Sequence, residues 1–270
     1  MSIALFCNPS PGLAALYQAR QVSLDGIECT SFISPSQIER MHADYPGLRF
    51  QFHASNLGRT LFSQFRLKRY QQVCPDSPWI SIHFSPVPSW AVFPALKFGL
   101  RLPLPAPERM EKRFVRKVAR LKTALSLPVI LENMPVDRVL NTLMESDPEM
   151  IRDVLNEADI DMLLDLAHAR VAADFRQMPV EEYLLQLPLH RVRQIHLSGV
   201  RRVDGKLQDA HETLVEEDYR LLSWALTHTK PDVVTLEYFK ADQEALREMT
   251  HGTLAAEIVE TNEATIMPLP

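Results

Sequence analysis

Nine side chains in this sequence are of the kinds that hold metal ions, and they fall one or two at a time at the ends of short apolar runs. They are His53 in RFQFH, His83 in WISIHF, Glu132 in PVILEN, Asp165 and His168 in MLLDLAH, His196 in VRQIHL, Asp209 and His211 in QDAH, and Glu237 in VVTLEY. Imidazole and carboxylate donors without thiolate suit iron, manganese or zinc, rather than a thiolate-held structural zinc or an all-oxygen calcium cage. One such residue at a strand end is more often a satisfied polar group than a ligand. Six consecutive runs that end this way are harder to assign to packing, because burying carboxylates and imidazoles together is costly unless cations compensate them.

To work together, the nine need a fold that gathers strand ends. Eight aliphatic runs lie near 3–7, 26–30, 49–53, 79–84, 128–132, 161–165, 192–197 and 232–237. They alternate with helical patterns near 11–20, 35–44, 60–72, 107–126, 147–157, 180–187, 215–229 and 241–256. Several runs are apolar on consecutive positions, as strands buried on both faces should be. Helix starts have local support at Ser34-Pro35, Asp147-Pro148 and Pro107, where a capping side chain or a proline in the first turn is favourable. The pattern predicts a (β/α)8 TIM barrel over residues 1–270 as a single domain.

In that fold the carboxyl ends of all strands converge on one rim, where active sites sit. His53, His83, Glu132, Asp165, His196 and Glu237 are expected at or near the ends of strands three to eight, and His168, Asp209 and His211 in the loops that follow strands six and seven. The order suggests His53, His83 and Glu132 on one ion; Glu132, Asp165, His196 and Glu237 on a second; and His168, Asp209 and His211 on a third. Glu132 would bridge, and Glu132, Asp165 and His168 are the candidates nearest the chemistry. Asn56, Arg59, Asn133 and Arg170 are candidates to orient substrate or ligands. Glu28 reaches the rim on strand two and reads as structural. His42, His190, His228 and His251 read as non-ligands.

The connection from 85 to 106, SPVPSWAVFPALKFGLRLPLPA, has too much proline for a regular helix and too much apolar surface for a solvated linker. It is expected to form a lid or substrate groove on the catalytic face, with Trp90 as a substrate contact. The net charge of -5 and pI of about 6.0 point away from nucleic acid and anionic membrane. The basic stretches at 59–69 and 120–123 read as solvated helix faces. No run approaches the ~18 apolar residues of a membrane span. Three widely spaced cysteines argue for a reducing compartment, so a cytoplasmic protein is expected.

The local motifs carry a resemblance. LENMP at 131–135, LLDLAHARVAA at 163–173, LPLHRVRQIHLSG at 187–199, DAHETL at 209–214 and VTLEY at 234–238 resemble the multinuclear non-haem iron-dependent oxidative enzymes. These are methanobactin-biosynthesis-like members of the xylose-isomerase-like TIM barrels. The resemblance implies two or three iron ions (Fe2+/Fe3+) that use dioxygen to oxidise a residue of a ribosomally synthesised precursor peptide, often with a partner protein that binds the leader. The Asp165-to-His168 and Asp209-to-His211 spacings also look like the trinuclear layout of endonuclease IV. Many oxidative relatives carry Asn where His168 stands, whereas endonuclease IV carries His. The alternatives are therefore a zinc- or manganese-dependent phosphodiesterase and a sugar isomerase or epimerase on the same barrel.

Overall fold

The computed structural model describes residues 2–54, 64–100, 102–136 and 142–251. Asn56 and Arg59 lie outside the described residues. Strands β1 (Ala4–Cys7), β2 (Gly26–Thr30), β3 (Arg49–Ala54), β4 (Ile80–His83), β5 (Val129–Glu132), β6 (Asp161–Asp165) and β7 (Val192–Leu197) correspond to seven of the eight aliphatic runs. Two further strands, β8 (Gly199–Val203) and β9 (Lys206–Glu212), form an antiparallel hairpin, and β10 (Val233–Leu236) is the eighth run. The eight form a closed parallel barrel in the order β1-β10-β7-β6-β5-β4-β3-β2. Around it lie α1 (Pro11–Gln18), α2 (Pro35–Met41), α3 (Gln64–Val73), α4 (Ser89–Phe98), α5 (Pro107–Ala124), α6 (Pro148–Ala158), α7 (Leu166–Arg176), α8 (Val180–Leu184), α9 (Glu216–His228) and α10 (Gln243–His251).

Side chains alternate in and out along a strand, and here the alternation sorts the barrel interior into three tiers. At the amino-terminal end Phe6, Trp79, Ile130, Leu163 and Val233 form a closed apolar floor. Gly26 leaves room for it, since a Cβ there would stand 2.3 Å from the Phe6 ring. Above the floor come the buried polar residues Glu28, Gln51, Ser81, Gln194 and Thr235. One more step along the strands places His53, His83, Glu132, Asp165, His196 and Glu237 at the rim. The register aligns His83 with Glu132 and Asp165 with His196. Outside the sheet, Leu5, Ile27, Phe52, Ile82, Leu131, Leu164 and Ile195 pack against the helices in one continuous core.

Helices begin where the local chemistry favours them. Asp147 accepts from the backbone N–H of Glu149 and Pro148 opens α6. The Ser34 backbone N–H is bonded by Gln37 Oε1 at the start of α2. Both satisfy groups that a helix terminus leaves free.

Three features depart from the sequence-based expectation. The proline-rich connection contains a ten-residue helix, α4, with Pro94 inside it and Gly99 closing it at φ 67°; the loop expected there is only its flanks. A helix not expected at all, α7, starts directly after β6, so His168 lies in a first helical turn and not in a loop. Asp209 and His211 likewise sit on a strand, β9, and not in a loop.

Candidate metal centre

The rim brings the nine candidates into one cluster. His53 Nε2 lies 2.9 Å from His83 Nε2 and 3.3 Å from Glu132 Oε2, and His83 Nε2 lies 3.0 Å from the same oxygen. Donors about 2.1 Å from a shared ion, at angles of 90–110°, are about 3.0–3.4 Å apart. Those three atoms are thus spaced as donors to one ion would be. The other oxygen, Glu132 Oε1, lies 3.5 Å from both His196 Nδ1 and His168 Nδ1. His196 Nδ1 is also 3.3 Å from Glu237 Oε1 and 3.9 Å from Asp165 Oδ2. One carboxylate therefore faces two sets of donors.

The residues expected to form the third set come from three elements and meet in pairs through Asp209. Asp165 ends β6 and caps α7: its Oδ1 accepts from the His168 backbone N–H at 2.7 Å, which leaves Oδ2 facing the cluster. His168 Nδ1 meets the Asn133 carbonyl oxygen at 2.9 Å, so that nitrogen carries the proton and Nε2 points to Asp209 Oδ2 at 3.3 Å. His211 Nε2 lies 3.4 Å from the same Asp209 oxygen. A bulge aims His211: Val200 pairs with Asp209 but Gly199 pairs with Glu212, and His211 adopts φ 45°. Non-glycine residues rarely occupy that region, and bulges and such strain gather at functional sites. Gly199 is required because a Cβ would stand 2.5 Å from the Thr213 carbonyl.

The residues present fit metal. Glu132 Oε2, Asp165 Oδ2, His196 Nδ1 and His211 Nδ1 are buried without a hydrogen-bond partner, a costly arrangement for a polar core left to itself. Among the described residues, the rim carboxylates form their ion pairs with histidine and none with Lys or Arg. Among the described residues three sets, His53–His83–Glu132, Glu28–His196–Glu237 and Glu132–Asp165–His168, are close enough to hold an ion; the first is the expected grouping, whereas Asp209 and His211 fall in none of the three and Glu28 takes a place not expected for it.

Electrostatics show the same shortage of positive charge. Burial lifts the Asp165 carboxyl to about 7 against the pull of His168, with Glu132 pushing the same way as burial. Burial also drives Glu237 well above the carboxylate range, although His196 opposes it. Glu132 stays well below that range despite its burial, because His83 and His53 face it. Burial pushes His53 down to about 4 even beside Glu132. Asp165, Glu132 and Asp209 raise His168, and Glu237 and Glu28 raise His196, in both cases against burial. Protons thus occupy sites that a cation would otherwise compensate.

The expected substrate contacts have other partners. Asn133 is fully buried; its Nδ2 donates to the Asp165 carbonyl at 3.0 Å and its Oδ1 accepts from the Asp165 backbone N–H at 2.8 Å. Both ends of its amide are engaged with the Asp165 backbone, so it ties β5 to β6 beneath the rim. Arg170 is turned away to α9, where its guanidinium pairs with Asp218 and, at 2.6 Å, with Glu217. Trp90 stands nearly half exposed at the start of α4. His42, read as a non-ligand, bonds the Val73 carbonyl far from the rim. Glu28 is placed closer to the centre than its structural reading implied: Oε1 lies 2.8 Å from His196 Nε2, off the angle of an ideal hydrogen bond. Ser81, not singled out from the sequence, has its Oγ 2.8 Å from His53 Nδ1 and turns Nε2 to the cluster. Its register position opposite His53 was the available signal.

Comparison with known proteins bears on the fold and the family. The protein resembles a solved D-tagatose 3-epimerase-like protein with a TM-score of 0.64 at 15% identity, covering 97% of this chain and 100% of that one. It resembles an L-ribulose 3-epimerase with a TM-score of 0.59 at 11% identity, covering 98% and 97%. At these identities the likeness shows the barrel fold alone. A "UPF0276 protein" of Paraburkholderia phytofirmans is 28% identical over 193 residues, 71% of this chain and 53% of that protein. One from Psychromonas ingrahamii is 26% identical over 207 residues, 74% and 71%. The family model for the RiPP precursor modification enzyme MbnB/TglH/ChrH matches residues 36–258, a span that contains all nine rim candidates. The chain belongs to that family of enzymes modifying ribosomally made peptides.

Proposed function

We propose that the protein is a multinuclear non-haem iron enzyme that uses dioxygen to oxidise a residue of a ribosomally synthesised precursor peptide. The observation that carries the reading is Glu132, a buried carboxylate in contact with four of the rim histidines, His53, His83, His168 and His196, in a cluster without thiolate. His53, His83 and Glu132 would hold one ion; Glu132, Asp165, His196 and Glu237 a second; His168, Asp209 and His211 a third. Iron held by these residues would supply redox chemistry between a bound substrate and dioxygen.

The protein's own residues do the rest. Ser81 and the Asn133 carbonyl fix the ring orientations of His53 and His168. The buried apolar cluster of Phe6, Trp79, Ile130, Leu163 and Val233 lines the barrel interior below the centre. His83, Asp209 and His211 are the partly exposed candidates, so substrate approaches along their side of the rim. The exposed Trp90, Phe93 and Phe98 of α4, which follows His83 in the chain, provide apolar surface for a peptide there.

Purification of the full chain without oxygen, with ferrous iron supplied, should yield two or three irons per chain and no zinc. Mass spectrometry of candidate precursor peptides should then show an oxidative mass change only when dioxygen is admitted. Equal turnover without dioxygen would overturn the oxidase reading.

A further inference from the structure

Beneath the rim, a layer of buried polar groups converges on one carboxylate that lies outside the segment shared with the family, residues 36–258. Glu28, on β2, is fully buried. Its Oε2 faces Gln51 Nε2 at 2.9 Å and Gln194 Nε2 at 2.6 Å, and its Oε1 faces His196 Nε2 at 2.8 Å.

The direction of these contacts is set from the barrel floor. An indole nitrogen only donates, so Trp79 Nε1, 2.7 Å from Gln194, fixes the oxygen of that amide toward itself. The Gln194 nitrogen must then face Glu28 and Thr235 Oγ1, at 2.6 and 2.9 Å, which uses both of its hydrogens. None remains for the 3.2 Å approach of Gln194 Nε2 to His196 Nε2. The Gln51 nitrogen also points at Glu28, being 2.5 Å from the same Gln194 oxygen. Glu28 is thus an acceptor at Oε2, while its Oε1, without a hydrogen-bond partner of ideal angle among the described residues, lies against His196 Nε2.

We infer that Glu28 is a positioning residue that keeps the proton of His196 on Nε2 and thereby turns the Nδ1 lone pair toward the second ion. Nδ1 is the atom 3.3 Å from Glu237 and 3.5 Å from Glu132. A metal-bound imidazole whose other nitrogen donates to a carboxylate is held in one tautomer and orientation, and loss of such a partner weakens metal binding by about 10–100-fold. This role rests on the reading that the rim holds metal.

Glu28→Gln separates the possibilities. Gln51 and Gln194 both donate to the Oε2 position, so the new side chain keeps its oxygen there and offers an amide N–H to His196 Nε2. The proton is then forced onto Nδ1. In anaerobic titration of the full chain with ferrous ion, the variant should bind one equivalent fewer, or bind it about 10–100-fold more weakly, with unchanged circular dichroism and with the equivalent at His53, His83 and Glu132 retained. In zinc-loaded, histidine-labelled protein, NMR should show the Nε2–H of His196 in the parent and not in the variant. Glu28→Asp, which keeps the carboxylate one methylene further back, should retain that resonance and fall between the two in affinity. It also serves if Glu28→Gln fails to fold. An Nε2–H that persists in Glu28→Gln, or unchanged affinity, overturns the role. So does its absence from the zinc-loaded parent, which would make Glu28 a ligand. A parent chain that binds no metal overturns the metal centre instead.

Discussion

The ring Nδ1 of His168 lies 2.9 Å from the carbonyl oxygen of Asn133, the residue immediately after Glu132. The end of β5 therefore supplies a donor through Glu132 and also fixes the tautomer of a second donor on α7. The Asn133 side chain adds two bonds to the Asp165 backbone, tying the ends of β5 and β6 together. Asn133→Ala should leave the buried Asp165 backbone groups unsatisfied, at a cost of about 1–3 kcal/mol. It should also weaken metal binding by about 10–100-fold. Thermal melting and ferrous-ion titration measure the two effects; a variant altered only in peptide KM would show that Asn133 contacts substrate.

Glu132→Gln removes charge where two donor sets meet. It is expected to lose at least two metal equivalents together with more than about 99% of turnover, whereas Asp209→Asn should lose only the third equivalent. Metal analysis of the two purified variants tests the difference. Full metal content in Glu132→Gln would remove the bridge from the centre.

Arg170 predicts an effect on stability and not on substrate. Its guanidinium pairs with the buried Asp218 across α7 and α9. Burial raises the Asp218 carboxyl even with Arg170 beside it. Arg170→Met leaves that carboxylate without its cation, at a cost of about 3–5 kcal/mol, or a fall in Tm of roughly 5–9 °C. Metal content per folded chain should not change. Loss of peptide binding with an unchanged Tm would return Arg170 to the substrate.

The three cysteines give a pH prediction. Burial pushes the thiols of Cys7 and Cys74 up to about 12, and that of Cys29 well above its ordinary value. Only the thiolate is a nucleophile, and at pH 8 a thiol of pKa 12 is ionised in about one molecule in 10,000. The folded chain should resist iodoacetamide at pH 8, with all three thiols reacting in denaturant. A thiol raised in the folded state disfavours its ionised form there. Its stability contribution is therefore complete below the unfolded pKa of about 8.5 and is lost as pH rises toward 12. Rapid alkylation of native protein would contradict the burial of these residues.

The strands were legible in the sequence because they are buried on both faces: runs such as VILE and MLLD have few residues that could belong to anything else. The rim donors followed from where those runs stop. Helix α7 was missed for the opposite reason. Leu166 through Ala173 are all buried, so the segment lacks the polar face that gives a helix its period. The β8–β9 hairpin is half-exposed and polar and lacks alternation, although Asp204-Gly205, both at positive φ, was a turn signal. Helix α4 formed despite Pro94, with Gly99 as its stop. The sequence places Glu28 near the rim, but its contact with His196 was not legible because it depends on amides brought together from β2, β3 and β7 and on Trp79.

The bulged hairpin has a consequence for how this centre can change over evolutionary time. The donors on β3 to β7 and Glu237 are welded into the barrel, where any shift in register would turn core residues outward. Asp209 and His211 are carried on an appendage outside the closed sheet. On the proposed grouping, insertions, deletions or a straightened bulge there would retune or discard the third ion without disturbing the donors on the barrel strands. If the proposed centre holds, the third ion would depend on the appendage and not on the barrel, so that editing about a dozen residues there would alter the reactivity.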